Sequence, residues 1–581
     1  MKHLCTCFFL IIIFTLQISA QPNIIIILTD DQGWGDVSFN GNSNLSTPHI
    51  DELANNGIIF NRFFVEPVCS PTRAEILTGR YHVRSGVYST SRGGERMNAD
   101  EVTIAQILKN NGYKTAIYGK WHNGMQAPYH PNAKGFDDFY GFASGHWGNY
   151  FSPMLEHNGK IVQGNGFLAD DLTDHAISYI ENNKDHPFFL LLSLNTPHSP
   201  MQVPQKYWDG KKDKPLAIHN IYPASEDTMF TKAALAMVEN IDDNVGRINA
   251  KISQLNLEEE TIVIFMSDNG PNGVRWNGGM KGKKGSTDEG GVRVPMAMKW
   301  KGHIRPGIKT ETIASGIDIL PTLLDLVGID HVYSNPIDGI SLKSILNENS
   351  SEADRYLFQF WQKRTSVRSQ YFRLDDQDRL YHMQLDSGQV RDVQQDYPEQ
   401  YQAMLSAKKD WVDNVASLLD YDSSRPITIG YPGFEFHQIP ARDAEFSGNI
   451  HRSNRHPNCT FLSNWTALND EIYWNVDIVE EGDFSVEIFY TCPEEDVGSS
   501  FELTCGDARI TSKITVAFDP PFTGAINDIY PRMESDTKDF KSMSIGEFRL
   551  SKGPQKLSLK ALDIPGNSVM DFRLLMLRRV K

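Results

Sequence analysis

The chain has no excess of positive charge and no low-complexity tract. Its 581 residues carry 56 Lys and Arg against 73 Asp and Glu, which gives a formal net charge of −17. A nucleic-acid partner is therefore not expected, because binding to a phosphate backbone requires a basic surface. Without long Gln, Ser or Pro runs, the composition is typical of folded globular domains, and the length predicts roughly two to four of them.

Long hydrophobic runs are also scarce. The first twenty residues contain one Lys, an apolar run over 8–16 and the small residues Ser19 and Ala20 before Gln21, which is the organisation of a secretory signal peptide. The apolar run is too short for a membrane span. We therefore predict a signal peptide over 1–20, no transmembrane segment after its removal, and a periplasmic or secreted protein.

Cysteine is the third residue type of which the chain has little. Four cysteines follow the predicted signal peptide, and they are Cys69, Cys459, Cys492 and Cys505. In an oxidising compartment one pair among the last three is a candidate disulfide, and the sequence does not select the pair. Cys69 has no candidate partner in its part of the chain.

Buried-strand patterns alternate with helical patterns in the first part of the chain. The strand patterns, which are apolar, β-branched or aromatic, span 23–28, 114–118, 188–194 and 261–266. The helical patterns span 48–55, 102–110, 170–182 and 231–255. This alternation is typical of an α/β fold in which helices cover both faces of a sheet.

Polar and ionisable residues follow each of the four predicted strands. In open α/β sheets, ligands bind beyond the carboxyl ends of the strands, so these clusters are expected to converge on one site. The clusters contain Asp30 and Asp31, Lys120 and His122, His198, and Asp268 and Asn269.

Two further regions follow the α/β part. Strand patterns over 356–361 and 371–374 and a polar helix over 397–418 predict a small α+β subdomain. Short alternating segments after about residue 437, separated by turn residues, predict an all-β sandwich; they span 472–478, 484–490, 501–505 and 557–562. The predicted units are an α/β domain over 21–348, an α+β subdomain over 349–430 and a β-sandwich accessory domain over 437–581.

Residues 69–80 contain the strongest chemical signal in the chain. Pro71 suits the first turn of a helix, which places Cys69 at the helix N-terminus, where free N–H groups and the helix dipole favour an anion. Arg73 lies one turn further along the same face. The alternative for a lone cysteine is a buried structural role. With its neighbours, Cys69 is interpreted as a nucleophile beside an anion-binding pocket.

The pattern Cys69-x-Pro71-x-Arg73, followed by Thr78 and Gly79, resembles the formylglycine-dependent sulfatases, and the resemblance covers roughly residues 22–420. In that family the cysteine is oxidised to formylglycine (3-oxoalanine), whose hydrated aldehyde is the nucleophile. The resemblance implies an alkaline-phosphatase-like mixed sheet flanked by helices and the hydrolysis of sulfate esters. It also implies a formylglycine-generating or anaerobic maturase enzyme as a partner during maturation.

The same resemblance implies the roles of individual residues. It assigns one divalent cation to Asp30, Asp31, the modified Cys69, Asp268 and Asn269. Oxygen donors of this kind suit Ca²⁺, or alternatively Mg²⁺, better than zinc. The groups that neutralise the sulfate or hold the nucleophile match Arg73, Lys120 and Lys284, with Lys284 preferred over Lys281 and Lys283, and the proton-transfer pair matches His122 and His198.

The outer part of the site is expected to bind sugar, because aromatic faces stack on sugar rings and guanidinium groups bind carboxylates. The candidates are His146, Arg92, Trp147, Arg275 and Trp276, for each of which packing is the alternative. Exported bacterial polysaccharide sulfatases resemble this acidic chain with its signal and β-rich domain, and the run 121–153 is similar to enzymes associated with ulvan. A sulfated oligo- or polysaccharide is therefore the expected substrate.

Two alternative functions are compatible with the predicted fold, and the β-sandwich has two possible roles. A phosphatase or phosphodiesterase of the related alkaline-phosphatase-like superfamily would share the fold, and a silent polysaccharide-binding protein could retain it as a scaffold. The motif around Cys69 and the complete ligand set favour the sulfatase over both. The β-sandwich is either a carbohydrate-binding module, with stacking candidates Trp465, Trp474, Tyr473 and Tyr490, or a structural cover for the pocket.

Overall fold

The computed structural model describes residues 21–346, 355–421 and 425–580. The predicted signal peptide over 1–20 lies outside the described residues, as does the predicted domain boundary at 348–349. The described residues form two αβ units and one all-β unit, which pack against one another.

The first unit contains the residues up to 346. Its strands are β1 (Asn23–Thr29), β2 (Ile58–Phe60), β3 (Phe63–Phe64), β4 (Lys114–Lys120), β5 (Asp138–Phe142), β6 (Met154–His157), β7 (Lys160–Gln163), β8 (Phe188–Ser193), β9 (Thr261–Ser267), β10 (Arg293–Val294), β11 (Met296–Lys299), β12 (Ile308–Thr310) and β13 (Ala314–Ser315). Its helices are α1 (Pro48–Asn55), α2 (Cys69–Thr78), α3 (Ile104–Asn110), α4 (Leu168–Asn182), α5 (Gln205–Asp209), α6 (Thr228–Gln254), α7 (Glu289–Val292) and α8 (Ile319–Leu326).

A ten-stranded mixed sheet forms the centre of this unit, in the order β12-β2-β11-β9-β1-β8-β4-β5-β6-β7. The four strands predicted from the sequence are the consecutive neighbours β9, β1, β8 and β4, and all of them run parallel. Antiparallel pairs occur toward both edges, where β11 joins β9 and β6 joins β5. The parallel centre brings the carboxyl ends of the four predicted strands to one edge.

Helices cover both faces of the sheet, which confirms the predicted α/β architecture. Along β1 the side chains alternate, so that Ile24 and Ile26 pack on the face with α2, α3 and α8, and Ile25 and Ile27 pack on the face with α4 and α6. Because both faces are buried, β1 has an unbroken apolar sequence rather than an alternating one.

The small α+β subdomain is present as a four-stranded antiparallel sheet with one helix. Its elements are β14 (Leu357–Trp361), β15 (Arg364–Arg368), β16 (Phe372–Leu374), β17 (Leu380–His382) and α9 (Pro398–Asn414). Met404 of α9 packs against Val367 and Leu374 of the sheet. The predicted helix over 397–418 ends earlier, at Asn414, and a short 3₁₀ turn over Ala416–Leu418 follows it.

The C-terminal unit is a sandwich of two sheets. Its strands are β18 (Ile427–Ile429), β19 (Phe436–Pro440), β20 (Glu445–Ser447), β21 (His451–Arg452), β22 (Leu462–Ser463), β23 (Glu471–Ile478), β24 (Gly482–Thr491), β25 (Ser500–Cys505), β26 (Ala508–Lys513), β27 (Lys541–Leu550), β28 (Gly553–Asp563) and β29 (Asp571–Arg579). One sheet runs β18-β23-β28-β25-β26 and the other β21-β22-β29-β24-β27, with β20 and β19 paired at their sides. The predicted all-β sandwich is therefore confirmed.

The aromatic residues proposed to stack on sugars are core residues of this sandwich. Trp465, Trp474 and Tyr490 are each 1% exposed and belong to the cluster between the two sheets. Tyr473 points outward, but the Lys556 ammonium lies 4.0 Å from its ring centroid. The alternating strand pattern needs large inward side chains, and Trp465, Trp474 and Tyr490 have that role in place of the sugar stacking considered as one alternative.

The cysteines of the described residues are all free and buried, namely Cys69, Cys459, Cys492 and Cys505. The candidate disulfide among the last three is therefore absent from the described residues. Cys492 and Cys505 lie in the hydrophobic core of the sandwich, where a thiol packs as a small apolar group. Among the helices of the described residues, none has both the length and the apolar character that a membrane span requires.

These free thiols lead to a test by reduction and alkylation. We expect a reducing agent to leave the thermal unfolding midpoint unchanged, because a disulfide that contributes about 2–4 kcal/mol is not there to be lost. Alkylation of the denatured, unreduced protein should label Cys459, Cys492 and Cys505 alike in a mass spectrum. A pair that is labelled only after reduction would contradict this expectation.

Candidate active site

The four parallel strands β1, β4, β8 and β9 deliver their polar ends to one place. The backbone of Asp30 continues the sheet by donating to Thr196 O at 3.1 Å, and Asp268 donates to Thr29 O at 3.0 Å. The residues after β1 and β9 are therefore held in register beyond the strands themselves. This arrangement confines Asp30, Asp31 and Asp268 to a single buried edge of the sheet.

Helix α2 places Cys69 and Arg73 against this edge. Cys69 is the first residue of the helix, Val68 before it is extended, and every residue of the helix is buried. Gly79 ends the helix with a left-handed φ of 68°, which a glycine adopts without strain. Burial raises the pKa of the Cys69 thiol, although Lys120 and Lys284 oppose the shift. The unmodified cysteine is therefore a neutral thiol rather than a ready thiolate nucleophile.

Each of the three buried carboxylates is paired with a cation from a different element of the fold. The pairs are Lys120 Nζ with Asp30 Oδ2 at 2.7 Å, Lys284 Nζ with Asp31 Oδ1 at 2.6 Å, and Arg73 Nη2 with Asp268 Oδ2 at 2.7 Å. Arg73 also donates from Nη1 to Lys120 O at 3.0 Å and to Ser193 Oγ at 2.6 Å, which fixes its plane.

The pKa values of the three carboxyl groups are shifted in different directions. Burial alone would raise the pKa of Asp30, but Lys120 and the other cations hold that pKa far below its usual range. The same balance, with Lys284 as the main cation, lowers the pKa of Asp31. Burial and then repulsion from Asp30 raise the pKa of Asp268 to about 7, even though Arg73 opposes the change. A further positive charge among the three carboxylates would relieve this repulsion.

Several buried oxygen atoms at this edge have no hydrogen-bond partner among the described residues: Asp30 Oδ1, Asp31 Oδ2 and Asn269 Oδ1. Donor atoms of Asp30, Cys69 and Asp268 lie within 4.8 Å of one another, and so do donor atoms of Asp30, Asp31 and His198. Unpartnered buried oxygens are costly, and a set of carboxylate and amide oxygens is what Ca²⁺ or Mg²⁺ binds. These residues therefore fit a hard divalent cation.

Two histidines present one ring nitrogen each to the site. His122 Nε2 lies 2.9 Å from Thr90 O and His198 Nδ1 lies 2.6 Å from Ser199 O. Because a carbonyl only accepts, these nitrogens carry the hydrogen. His122 Nδ1 is then left buried without a partner among the described residues, and His198 Nε2 lies 3.8 Å from Asp31 Oδ2. Burial and then Lys120 lower the pKa of His122 well below its ordinary value, so this ring is neutral.

His146 lies in the same group of side chains. Its ring is nearly parallel to that of His198, with 5.9 Å between the centroids, and Asn458 Nδ2 lies 3.5 Å from its Nδ1. Burial and then His198 lower the pKa of His146 well below its ordinary value. Gly145 before it is tightly enclosed, since a Cβ at that position would come within 2.4 Å of His122 Nε2. A larger residue there would displace the histidines.

Arg275 binds groups of the protein itself, although it was expected to bind a carboxylate of the substrate. It is 2% exposed, its Nε donates to the Asp36 carboxylate at 2.9 Å, and its Nη2 donates to Asp31 O at 3.0 Å. The guanidinium thus holds the loop that carries Asp31, and the expectation that Arg275 contacts substrate is corrected on this geometry. Trp276 is half-buried and stacks on Trp34, with ring centroids 6.2 Å apart.

Arg92 lies apart from the three ion pairs. It lines a separate cleft at the junction with the sandwich, together with Arg96, Arg425 and Arg452. Its backbone has a left-handed φ of 57°, in the loop whose Thr90 carbonyl holds His122. The structure therefore does not bring Arg92 together with His146 and the other expected substrate contacts.

The sandwich contributes residues that the sequence motifs did not indicate. Glu534 accepts a hydrogen bond from Ser199 Oγ, next to His198. Asn458 contacts His146 and accepts a hydrogen bond from Ser144 Oγ at 3.1 Å. Arg442 forms a buried ion pair with Glu95. These residues are more than 250 positions from their partners and belong to no motif, so no signal in the sequence pointed to them.

A family model described as Sulfatase matches residues 22–329, which is more than half of the chain. The chain belongs to the sulfatase family. A second model, N-sulphoglucosamine sulphohydrolase, C-terminal, matches residues 283–419, so the two matches of this sulfatase end before the sandwich. The central sheet and its flanking helices are accordingly the alkaline-phosphatase-like core that was predicted.

Relatives of this sulfatase include enzymes of animals. It is 30% identical to N-acetylgalactosamine-6-sulfatase of Mus musculus over 359 residues, which are 55% of this chain and 65% of that protein. It is 32% identical to arylsulfatase A of Homo sapiens over 382 residues, or 59% of this chain and 71% of that one. The match therefore spans slightly less than two thirds of the N-acetylgalactosamine-6-sulfatase.

Two solved structures are also similar to this chain. The structure of Ps i-CgsB in complex with k-i-k-neocarrahexaose is 30% identical, with a TM-score of 0.61, and the match covers 67% of this chain and 92% of that one. The PsFucS1 sulfatase from Pseudoalteromonas sp. is 25% identical with a TM-score of 0.59, covering 69% and 92%. Each match leaves about a third of this chain uncovered.

The unpartnered oxygens lead to a prediction about cation binding. Calcium is expected to stabilise the fold by about 2.7 kcal/mol at a concentration about 100 times its dissociation constant. The Asn269→Ala variant removes a neutral ligand and leaves no unpaired charge, and we expect it to reduce the calcium-induced rise in the thermal midpoint. Differential scanning calorimetry with and without calcium measures both effects.

The matched control for this experiment is Asp376→Asn, at an exposed position of the small subdomain. It should retain the full calcium response. An equal response in Asn269→Ala and the parent protein, or no response in either, would contradict the proposed ligand set.

Proposed function

We propose that the protein is a sulfatase that hydrolyses sulfate esters on a carbohydrate. The observation that carries this proposal is the position of Cys69, which begins α2 at the point where three buried carboxylates and three cations meet. A sulfate ester bears negative charge on oxygens that Lys120 and Lys284 can reach from this edge. Free N–H groups of the first turn of α2 point in the same direction, as in other anion sites at helix N-termini.

The nucleophile in this proposal is residue 69 after oxidation of the cysteine to formylglycine. The raised pKa of the thiol supports the modification, because the unmodified side chain would be a poor nucleophile here. The hydrate of the aldehyde supplies two hydroxyl oxygens, one to attack sulfur and one whose remaining C–O bond can become C=O as sulfate departs. A formylglycine-generating or anaerobic maturase enzyme is the partner that this requires.

Asp30, Asp31, Asp268 and Asn269, together with residue 69, would hold one divalent cation, for which we propose Ca²⁺ with Mg²⁺ as the alternative. A cation in this position supplies positive charge that favours an ionised oxygen at residue 69 and neutralises sulfate oxygens. The chain's own contribution is to keep the ligand oxygens ionised and in place. Lys120 and Lys284 do this for Asp30 and Asp31 through their ion pairs.

Arg73 has the role of a positioning residue. Its guanidinium is occupied by Asp268, Lys120 O and Ser193 Oγ, so it orients the ligand carboxylate and the end of β4. Lys120 and Lys284 retain ammonium hydrogens beyond those used in their ion pairs, since each ammonium has three donors. These hydrogens are available to the equatorial oxygens of the sulfate as charge develops on them.

The histidines divide the proton transfers. His198 is the general acid in this proposal: when protonated it donates from Nε2 to the sugar oxygen as the ester S–O bond breaks. Its Nδ1–H remains bound to Ser199 O, which keeps Nε2 directed toward the carboxylate edge. His122 is the base, because its unpartnered Nδ1 is the acceptor of a neutral ring and can take the proton that residue 69 loses when sulfate departs.

The proposed setting is the periplasm or the cell exterior, on the strength of the signal-peptide organisation of residues 1–20. The proposed substrate is an oligosaccharide of a sulfated algal polysaccharide. Ulvan is proposed from the resemblance of residues 121–153 to enzymes associated with that polymer, which rests on the sequence alone. Carrageenan is supported by the similarity to Ps i-CgsB, which was solved with a neocarrahexaose.

The nucleophile can be tested by sulfate release. Protein co-produced with a formylglycine-generating enzyme and supplied with calcium should release sulfate from 4-nitrocatechol sulfate and from at least one member of a sulfated oligosaccharide panel. Cys69→Ala should lower kcat/KM by at least about a thousandfold, because no other group replaces the nucleophile. Ion chromatography measures the sulfate, and mass spectrometry confirms the state of residue 69.

Full turnover by Cys69→Ser would show that the aldehyde is not needed. Turnover of matched phosphate esters but not of sulfate esters, with the aldehyde confirmed, would contradict the sulfatase proposal.

The role of His198 predicts a dependence on the leaving group. His198→Ala should lower kcat for a sugar sulfate by about 10²–10⁴-fold, the usual contribution of general acid catalysis. It should lower kcat for 4-nitrocatechol sulfate much less, because an activated phenolate leaves without a proton. His186→Ala, at an exposed position, is the control and should behave as the parent protein. Equal losses for both leaving groups would exclude His198 as the acid.

A further inference from the structure

A cleft of about 290 Å³ opens beside the proposed sulfate pocket. Its lining includes Ser199, Phe230 and Lys283 from the first unit and Tyr530 and Met533 from the sandwich. Its volume is close to the lower end of the about 300–1,000 Å³ that is usual for small-molecule sites, which suits a single sugar ring. The cleft therefore has the size of a ligand subsite, and two units of the chain build it.

We propose that this cleft binds a second sugar residue of the substrate, and that this sugar carries its own anionic group, a carboxylate or a sulfate, which Lys283 holds. The proposal rests on the proposed sulfatase function. It adds that the substrate is an oligosaccharide with charge on two neighbouring sugars. It also assigns the sandwich a direct part in substrate recognition.

The cleft and the sulfate pocket share two walls. Ser199 follows His198, and Lys283 precedes Lys284, so each cleft residue lies one Cα–Cα step of about 3.8 Å from a residue of the pocket. The side chain of Lys284 turns inward to Asp31, whereas Lys283 lines the cleft. A ligand whose sulfate enters the pocket therefore extends its next sugar along these walls.

Lys283 differs from the two lysines beside it. Lys281 lies 3.6 Å from Asp288, and Lys284 is paired with Asp31. Lys283 is exposed and has no carboxylate of the described residues within ion-pair distance. Its charge is thus available to a ligand.

Asp227 is the carboxylate of the cleft, and both of its oxygens already accept hydrogen bonds. Its Oδ1 accepts from the backbone N–H groups of Met229 and Phe230 at 3.1 Å each, as the N-cap of α6. Its Oδ2 accepts from the Tyr530 hydroxyl at 2.6 Å. Asp227 therefore positions the walls of the cleft and leaves Lys283 without a partner, which is the charge pattern of a site for an anionic ligand.

The apolar part of the cleft suits a sugar ring. Phe230 and Tyr530 are half-exposed and meet edge to face, with 5.2 Å between their ring centroids. Met533 beside them is 57% exposed. Aromatic faces of this kind pack against the C–H face of a sugar, while the ring hydroxyls remain available to the polar wall.

The sandwich segment that carries Tyr530 is fixed before any ligand arrives. Ile529 N donates to Met201 O at 2.9 Å, and Gln202 Nε2 donates to Asp528 Oδ1 at 2.8 Å. Arg532 binds Asp528 Oδ2 at 2.7 Å and Gly148 O at 2.9 Å. Because these bonds already hold the loop, binding of a ligand costs little conformational entropy of the loop, which favours affinity.

The test compares an oligosaccharide with a substrate that has no second sugar. The probes are a sulfated neocarrahexaose, a disaccharide of a uronic acid and 6-sulfated N-acetylgalactosamine, and 4-nitrocatechol sulfate. The measured quantity is kcat/KM for each oligosaccharide divided by kcat/KM for 4-nitrocatechol sulfate. The variants are Lys283→Gln and Tyr530→Ala. The control is Lys309→Gln, at an exposed position on the edge strand β12.

We expect Lys283→Gln to lower this ratio about tenfold or more, as the loss of a charge-assisted hydrogen bond does, mainly through KM. Tyr530→Ala should lower the ratio as well, and circular dichroism checks that it folds. Lys309→Gln should leave it unchanged. A loss confined to the uronate disaccharide identifies a carboxylate in the cleft, and a loss confined to the neocarrahexaose identifies a sulfate.

An unchanged ratio for Lys283→Gln would overturn the subsite. So would turnover of 4-nitrocatechol sulfate by the parent protein with no turnover of either oligosaccharide, and in both cases the sulfatase proposal would stand. Turnover of none of the three probes by protein with a confirmed aldehyde would contradict the proposed function itself, and the subsite with it.

Discussion

The burial of three carboxylates at one edge of a sheet is the constraint on which the rest of the structure depends. An unpaired buried carboxylate lowers the stability of the fold by several kcal/mol. Each of Asp30, Asp31 and Asp268 therefore requires a cation at contact distance. The cations come from the end of β4, from the loop before α7 and from α2. Satisfying the three charges therefore fixes the relative positions of three separate parts of the chain, and α2 carries Cys69 to the centre with them.

Outer contacts hold the elements that carry these charges. Arg275 binds Asp36 and the backbone of Asp31, and Glu534 of the sandwich binds Ser199 beside His198. The site is thus supported from both sides, by the first unit and by the sandwich. A sandwich attached in this way forms part of the wall of the site. This agrees better with a structural cover for the pocket than with an independent binding module.

The strands predictable from the sequence share a physical origin. Strands β1, β4, β8 and β9 are buried on both faces, so the middle of each strand is apolar or aromatic rather than alternating, and the polar residues at their ends stand out. The outer strands of the sheet, such as β2 and β12, have three residues each and leave no periodic pattern. The residues around Cys69 were predictable for a different reason, because their motif is contiguous in the sequence.

Other features were not predictable, because composition does not encode what a side chain faces. An arginine in a loop has the same letter whether it reaches a ligand or, like Arg275, binds a buried Asp36. Aromatic residues such as Trp474 follow the same alternation whether the strand face binds sugar or a second sheet. The sandwich residues Glu534 and Asn458 reach the site through long-range packing, for which a single sequence holds no signal. That Cys459, Cys492 and Cys505 are free thiols was not predictable either, because the sequence does not show which cysteines lie close together.

The burial of α2 has a consequence for the order of events after synthesis. Cys69 is 3% exposed, and its helix is enclosed by elements that follow it in the chain, including β9 almost 200 residues later. A modifying enzyme must reach the Cys69 side chain, and the finished fold encloses it. The proposed oxidation of the cysteine and folding therefore compete in time: a chain that folds first is sealed in its unmodified state, and the active fraction of a preparation reports which process was faster.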